Sequence, residues 1–192
     1  MRNYYDLNAK EFFESTVQVD MSPVYSRFLK HIPVGGSILD AGCGSGRDLK
    51  AFIDLGYRGE GFDASSELSE LASEYTETSV RCISFDQVDY KNQFDGIWAC
   101  ASLLHLNYEE LPNAVQLLAE SLKLSGTLYA SFKYGNGERN EGGRHFTDLN
   151  EVRLKDLLIE VSQLDLLESW VTGDQRTDRS QQWLNFTCKK TR

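Results

Sequence analysis

The sequence predicts a doubly wound α/β fold, a parallel sheet with helices on both faces. Three observations carry this expectation. Helical and strand-like patterns alternate along most of the chain. One strand-like run opens into a glycine-rich turn and then a helical pattern, in Leu39-Asp40-Ala41-Gly42-Cys43-Gly44-Ser45-Gly46-Arg47. Two successive strand-like runs end in carboxylates, Asp40 and Asp63. At 192 residues the chain suits a single domain, large enough to bury a continuous core without disulfides or metals.

Taken in order, residues 7–16 read as a short helix, with Phe12 and Phe13 among polar residues. A second helix is expected over 22–31, with Ser22 as N-cap and Pro23 at the first helical position. Val34-Gly35-Gly36 is a turn, and residues 37–40 form the first strand. The helix after the glycines carries Leu49, Phe52, Ile53 and Leu55 and closes at Gly56. A strand over 58–62 leads to Asp63, and a helix over 66–75 spaces Leu68, Leu71 and Ala72 on one face. Strands follow at 80–83 and 94–99, then a helix at 109–122 and a β-rich strand at 127–132. Residues 133–147, with four glycines and many charges, read as a long functional loop. A helix over 150–164 precedes two terminal strands, at 166–172 and 183–189, expected to form an antiparallel pair.

Composition narrows the function. The net charge of -9 opposes a phosphate backbone, so nucleic acid is disfavoured as a partner. Cys43, Cys82, Cys100 and Cys188 lie far apart with no histidine at ligand spacing, so no metal site is expected. No apolar run follows the N-terminus, and none approaches membrane-spanning length, which leads to a cytoplasmic expectation.

The glycine turn holds the sharpest chemical signal. Glycine lets a ligand approach the backbone, and the following helix offers unpaired N–H groups. A dinucleotide fingerprint, G-x-G-x-x-G, seats a pyrophosphate. Here the third glycine comes one position early, Arg47 stands where the fingerprint needs glycine, and Asp40 precedes the first glycine by two residues. A carboxylate there repels pyrophosphate and suits a cationic ligand. S-adenosylmethionine meets that requirement, with an α-amino group, a sulfonium and no phosphate. Asp63, 23 residues after Asp40, is placed to accept both ribose hydroxyls. In Ser84-Phe85-Asp86 the ring can pack on adenine while Asp86 accepts from its exocyclic amine.

These segments, together with Asp63-Ala64-Ser65, Trp98-Ala99-Cys100-Ala101-Ser102-Leu103-Leu104-His105 and Phe132-Lys133-Tyr134-Gly135, resemble class I methyltransferases. They are most similar to small bacterial proteins labelled tellurite-resistance-related. The resemblance covers nearly the whole chain. It implies a Rossmann-like seven-stranded sheet of order 3-2-1-4-5-7-6 with strand 7 antiparallel, and residues 1–33 as a helical lid segment on a core of 34–192. It also implies a cofactor site of Tyr5, Asp40, Ala41, Gly42, Cys43, Gly44, Gly46, Arg47, Asp63, Ala64, Ser65, Phe85, Asp86 and Ala101. His105, after the fourth strand, is the candidate base, or else it orders its loop through a backbone hydrogen bond. Ser102, Lys133 and Arg144 are the candidate acceptor contacts.

The expected reaction is in-line transfer of the sulfonium methyl to a small-molecule or oxyanion acceptor, by a monomer or weak dimer. It needs positioned reactants and a dry site rather than a triad or metal. Other readings stay open: a nicotinamide oxidoreductase, a nucleic-acid or protein methyltransferase, and a cofactor-binding protein without catalysis. Against base methylation, residues 101–104 lack the Asn/Asp-Pro-Pro-aromatic run common in amino-group methylators of bases.

Overall fold

The structure is a computed structural model that describes residues 4–176 and 179–192. Its helices are α1 (Tyr4–Leu7), α2 (Ala9–Thr16), α3 (Ser22–Leu29), α4 (Arg47–Asp54), α5 (Ser66–Thr76), α6 (Leu111–Ser121) and α7 (Glu151–Glu160). Its strands are β1 (Ser37–Ala41), β2 (Arg58–Asp63), β3 (Val80–Cys82), β4 (Phe94–Ala99), β5 (Leu122–Lys133), β6 (Glu138–Glu141), β7 (Arg144–Thr147), β8 (Leu164–Gly173) and β9 (Gln182–Lys190). Seven of the strands form one sheet, of order β3-β2-β1-β4-β5-β9-β8. β1 to β5 run parallel, and β9 runs antiparallel to both β5 and β8.

Several expectations need correction. The stated order ended 7-6, whereas these positions belong to β9 and β8, because the expected loop 133–147 itself contains two strands. β6 and β7 pair as a hairpin across Gly142-Gly143, both with positive φ (+57° and +74°), which suits a tight two-residue turn. Their charged sequences hid the pattern, and the Gly-Gly pair was the legible signal. The helix expected over 7–16 is α2, starting at Ala9, and a short helix that the sequence did not announce, α1, precedes it, with the Asn8 side-chain amide donating to the Tyr4 carbonyl at the junction. Met21, not Ser22, is the N-cap of α3, and Asp20 accepts from the Ser22 N–H at 2.8 Å. α7 stops at Glu160, capped at its start by Asn150, and Leu164 already belongs to β8.

The sheet buries side chains on both faces. On one, Ile38, Trp98 and Tyr129 pack against Phe28 of α3 and Phe52 of α4. Trp98 and Tyr129 are register partners on β4 and β5, and their rings stack 3.8 Å apart. On the other, Leu39, Ile97 and Leu128 meet Val115 and Leu118 of α6 and Leu154 and Leu157 of α7. Trp98 is the core tryptophan. Trp170 is half-buried beneath Arg27, and Trp183 lines a cleft. The expected lid segment divides, since α3 belongs to the core while α1 and α2 cross the carboxyl ends of the strands. Its first three residues, like residues 177–178 of the expected terminal connection, lie outside the described residues. No helix among the described residues is long and apolar enough to cross a membrane.

Candidate functional site

A cavity of about 500 Å³ opens at the carboxyl ends of β1, β2, β4 and β5, a size typical of ligand pockets. Its floor begins at the turn between β1 and α4. Gly42 has φ +74°, and a Cβ there would lie 2.5 Å from Ser102 Cβ. Gly42→Ala is therefore expected to cost about 2 kcal/mol or more, from left-handed strain plus the clash. Urea unfolding checks this, and an unchanged midpoint would contradict it. Gly46 is likewise left-handed, and its missing Cβ leaves room for Thr76 of α5.

Asp40 is buried, with one carboxylate oxygen lacking any hydrogen-bond partner. Burial first, then the neighbouring Asp48 carboxylate, raises its pKa well above the ordinary range, against the pull of Arg47 and the Leu49 N–H. A buried orphan oxygen of this kind costs free energy until a donor meets it. Asp63 is better satisfied: Gly44 N–H donates to Oδ2 and Ser65 N–H to Oδ1, both at 2.9 Å. Burial still lifts its pKa. Cys43 lies beside these carboxylates, and burial together with their charge pushes its thiol up, so it is no thiolate nucleophile.

Asp48, which the sequence reading did not single out, organises the floor. It takes Arg47 Nε at 2.6 Å and Nη2 at 2.9 Å, Tyr25 Oη at 2.6 Å and Trp98 Nε1 at 2.8 Å. An acid in a first helical turn ordinarily reads as a dipole contact, so nothing in the sequence marked its burial. Arg47 thus lines the cavity with its charge already partnered.

Of the remaining expected cofactor residues, Ala64, Phe85 and Ala101 line the cavity. Phe85 is held edge-on by Phe62 at 5.3 Å. Ala101 takes a left-handed conformation (φ +51°), and its N–H donates to Ser131 Oγ. Left-handed residues other than glycine are held there at a cost in free energy. Asp86 is exposed and bonded to Ser84 Oγ, outside the lining. Ser65 instead caps α5 by accepting from Leu68 N–H. Ser102, expected to face the acceptor, lines the cavity but commits its hydroxyl to the Ala41 carbonyl at 2.6 Å.

The roof comes from α1, α2 and the β6–β7 hairpin. Phe12 lies over Gly44, Thr16 donates to Ser45 Oγ, and Ser65 Oγ donates to Asp6. His105 Nδ1 is 2.8 Å from the His145 carbonyl, which can only accept, so Nδ1 carries the proton. Nε2 then accepts from Tyr5 Oη at 2.6 Å. Burial, with Arg144 and Lys133 nearby, lowers the His105 pKa to about 4, opposed by the His145 carbonyl. Against an unfolded value of about 6.5, the folded state resists protonation. The contribution of His105 is complete above pH 6.5 and lost as pH falls toward 4, about 2 kcal/mol after discounting partial exposure. The stability gap between wild type and His105→Gln should therefore narrow over that window in urea titrations. A gap independent of pH would contradict a neutral, doubly bonded imidazole.

Lys133 and Arg144 also line the roof, along with Arg176 and Trp183, which share Asp174. Among the described residues no cluster of His, Cys, Asp and Glu is placed to hold a metal ion.

The cavity lies where strand order reverses, beside β1, the place where doubly wound α/β proteins bind nucleosides. The molecule is of that class. The methyltransferase-domain family model matches residues 13–150, and the chain belongs to this family. No curated protein matches the sequence.

Solved structures share the fold. The 1,6-didemethyltoxoflavin-N1-methyltransferase of Burkholderia thailandensis, crystallised with 1,6-didemethyltoxoflavin and S-adenosylhomocysteine, aligns with a TM-score of 0.81 at 20% identity, over 98% of this chain and 86% of its own. A chain from the complex of the Haloferax volcanii Trm112 methyltransferase activator with its methyltransferase gives 0.78 at 18% identity, with both chains covered fully (100%). The [4+2]-cyclase SpnF gives 0.76 at 17% identity, over 97% of this chain and 93% of its own.

Proposed function

We propose that the protein transfers a methyl group from S-adenosylmethionine to a small-molecule acceptor. One observation carries the reading: buried Asp40, with one carboxylate oxygen unpartnered, lines the same cavity as Asp63, beside the left-handed glycine turn. The residues fit this cofactor. Asp40 would receive the cationic amino group, Asp63 the ribose hydroxyls and Phe85 the adenine. When bound, S-adenosylmethionine supplies a methyl on a good sulfonium leaving group. The chain then has to orient an acceptor and exclude water, and well-oriented reactants gain about 7–11 kcal/mol. Phe12 and Tyr5 provide the exclusion. His105 acts as a positioning residue that fixes Tyr5, since both its nitrogens are occupied.

A small acceptor is supported by the enclosed roof and by the net charge of -9, which disfavours RNA. The Burkholderia neighbour was crystallised with both 1,6-didemethyltoxoflavin and S-adenosylhomocysteine. The narrower tellurite-resistance reading rests on sequence resemblance alone. Incubation with methyl-labelled cofactor and a fractionated cell extract tests the proposal. Label should enter the low-molecular-weight organic fraction. Label in RNA or protein would replace the acceptor class, and a bound cofactor with no transfer to any fraction would leave a binding protein.

A further inference from the structure

The cavity is electrically divided. Its floor carries Asp40, Asp48 and Asp63, whereas the roof places Lys133 and Arg144 around the buried Phe146 ring. Lys133 Nζ is 3.7 Å from the ring centroid and Arg144 Cζ 5.1 Å, with Arg144 also 4.7 Å from the Tyr4 ring. Among the described residues, the ion pairs of this hairpin run elsewhere. Arg139 holds Glu141 and Asp148, and Glu138 faces His145 and Arg153. Among the described residues neither Lys133 nor Arg144 has a carboxylate at ion-pair distance, although Glu141 and Asp148 lie near enough to Lys133 to act on its charge. Arg144 Nε is buried and makes no hydrogen bond, although its guanidinium also bonds Tyr5.

Two cations without a direct counter-ion, held in a half-buried place, repel one another. Burial first, then Arg139 and Arg144, lower the Lys133 pKa, against an opposing pull from the Glu141 and Asp148 carboxylates. Aromatic faces offset part of this cost, and the orphaned Nε offsets none. An anion between the two would remove the repulsion and satisfy that donor, since a guanidinium fork matches a carboxylate or phosphate oxygen pair. In a chain of net charge -9 such a spot is a local feature that the overall field does not supply.

We infer that Lys133 and Arg144 form an anion subsite that selects an acceptor bearing a carboxylate or phosphate group. The inference rests on the methyltransferase reading for the word acceptor, while the subsite itself rests on the roof. The test titrates benzoate, phenyl phosphate and benzamide into full-length protein, with and without S-adenosylhomocysteine, by calorimetry or NMR. One of the two anions should bind at least about tenfold tighter than benzamide, and Lys133→Gln or Arg144→Gln should remove most of that preference. Which anion is preferred distinguishes carboxylate from phosphate.

Benzamide binding as well as both anions to the wild-type protein overturns the inference. So does a variant that weakens S-adenosylhomocysteine while keeping the anion preference, since the cations would then serve the carboxylate of the cofactor itself. If S-adenosylhomocysteine fails to bind but the preference persists without it, the cofactor reading falls and the subsite stands.

Discussion

Replacing Asp48 with alanine is expected to destabilise the protein by about 3–5 kcal/mol, the largest loss of any single polar side chain on the cavity floor. The carboxylate is buried and meets four donors from three residues, Arg47, Tyr25 and Trp98. Burial alone would raise the Asp48 pKa, but Arg47 holds it below the ordinary carboxylate range, and Asp48 in turn raises the pKa of Arg47. Without it, an uncompensated guanidinium and two orphaned donors stay buried beneath the turn. Asp48→Asn keeps one acceptor oxygen and should lose less. Urea unfolding of both variants measures this, and a loss under about 1 kcal/mol for alanine would show that the network relaxes or takes in water.

Asp40→Asn should separate stability from binding. The folded-state pKa of Asp40 is raised, so the stability it contributes is fully present below the unfolded value of about 4 and is lost as pH climbs toward the folded value. Once ionised, the buried group burdens the ligand-free protein. Asparagine removes the charge at nearly constant shape, so thermal unfolding should move upward while affinity for S-adenosylhomocysteine falls about 10- to 100-fold. Equal affinity in the two proteins would remove Asp40 from the recognition of the amino group.

Much of this was legible in the sequence, for physical reasons. β1, β4 and β5 announce themselves because a strand buried on both faces must be apolar along its length. The glycine turn was legible because left-handed residues at Gly42, Gly44 and Gly46 tolerate little else. Asp63 was legible from its place at a strand end. Pairing partners were not. Ser102 reads as an acceptor contact, and its hydroxyl donates to the Ala41 carbonyl of β1; His105 reads as a base or as a loop-ordering residue, and it bonds Tyr5 and the His145 carbonyl. The β6–β7 hairpin escaped because Glu138–Glu141 is polar on both faces and shows no alternation. The roles of Asp48, Tyr25 and Phe12 come from contacts between distant segments, which periodicity does not encode.

Calorimetric titration of S-adenosylhomocysteine into the folded protein probes the floor most directly. One equivalent should bind to the wild type, with Asp63→Ala weakening it about tenfold or more through two lost ribose hydrogen bonds. No heat and no thermal stabilisation in a protein that melts cooperatively, or an Asp63→Ala variant that binds as before, would contradict the account.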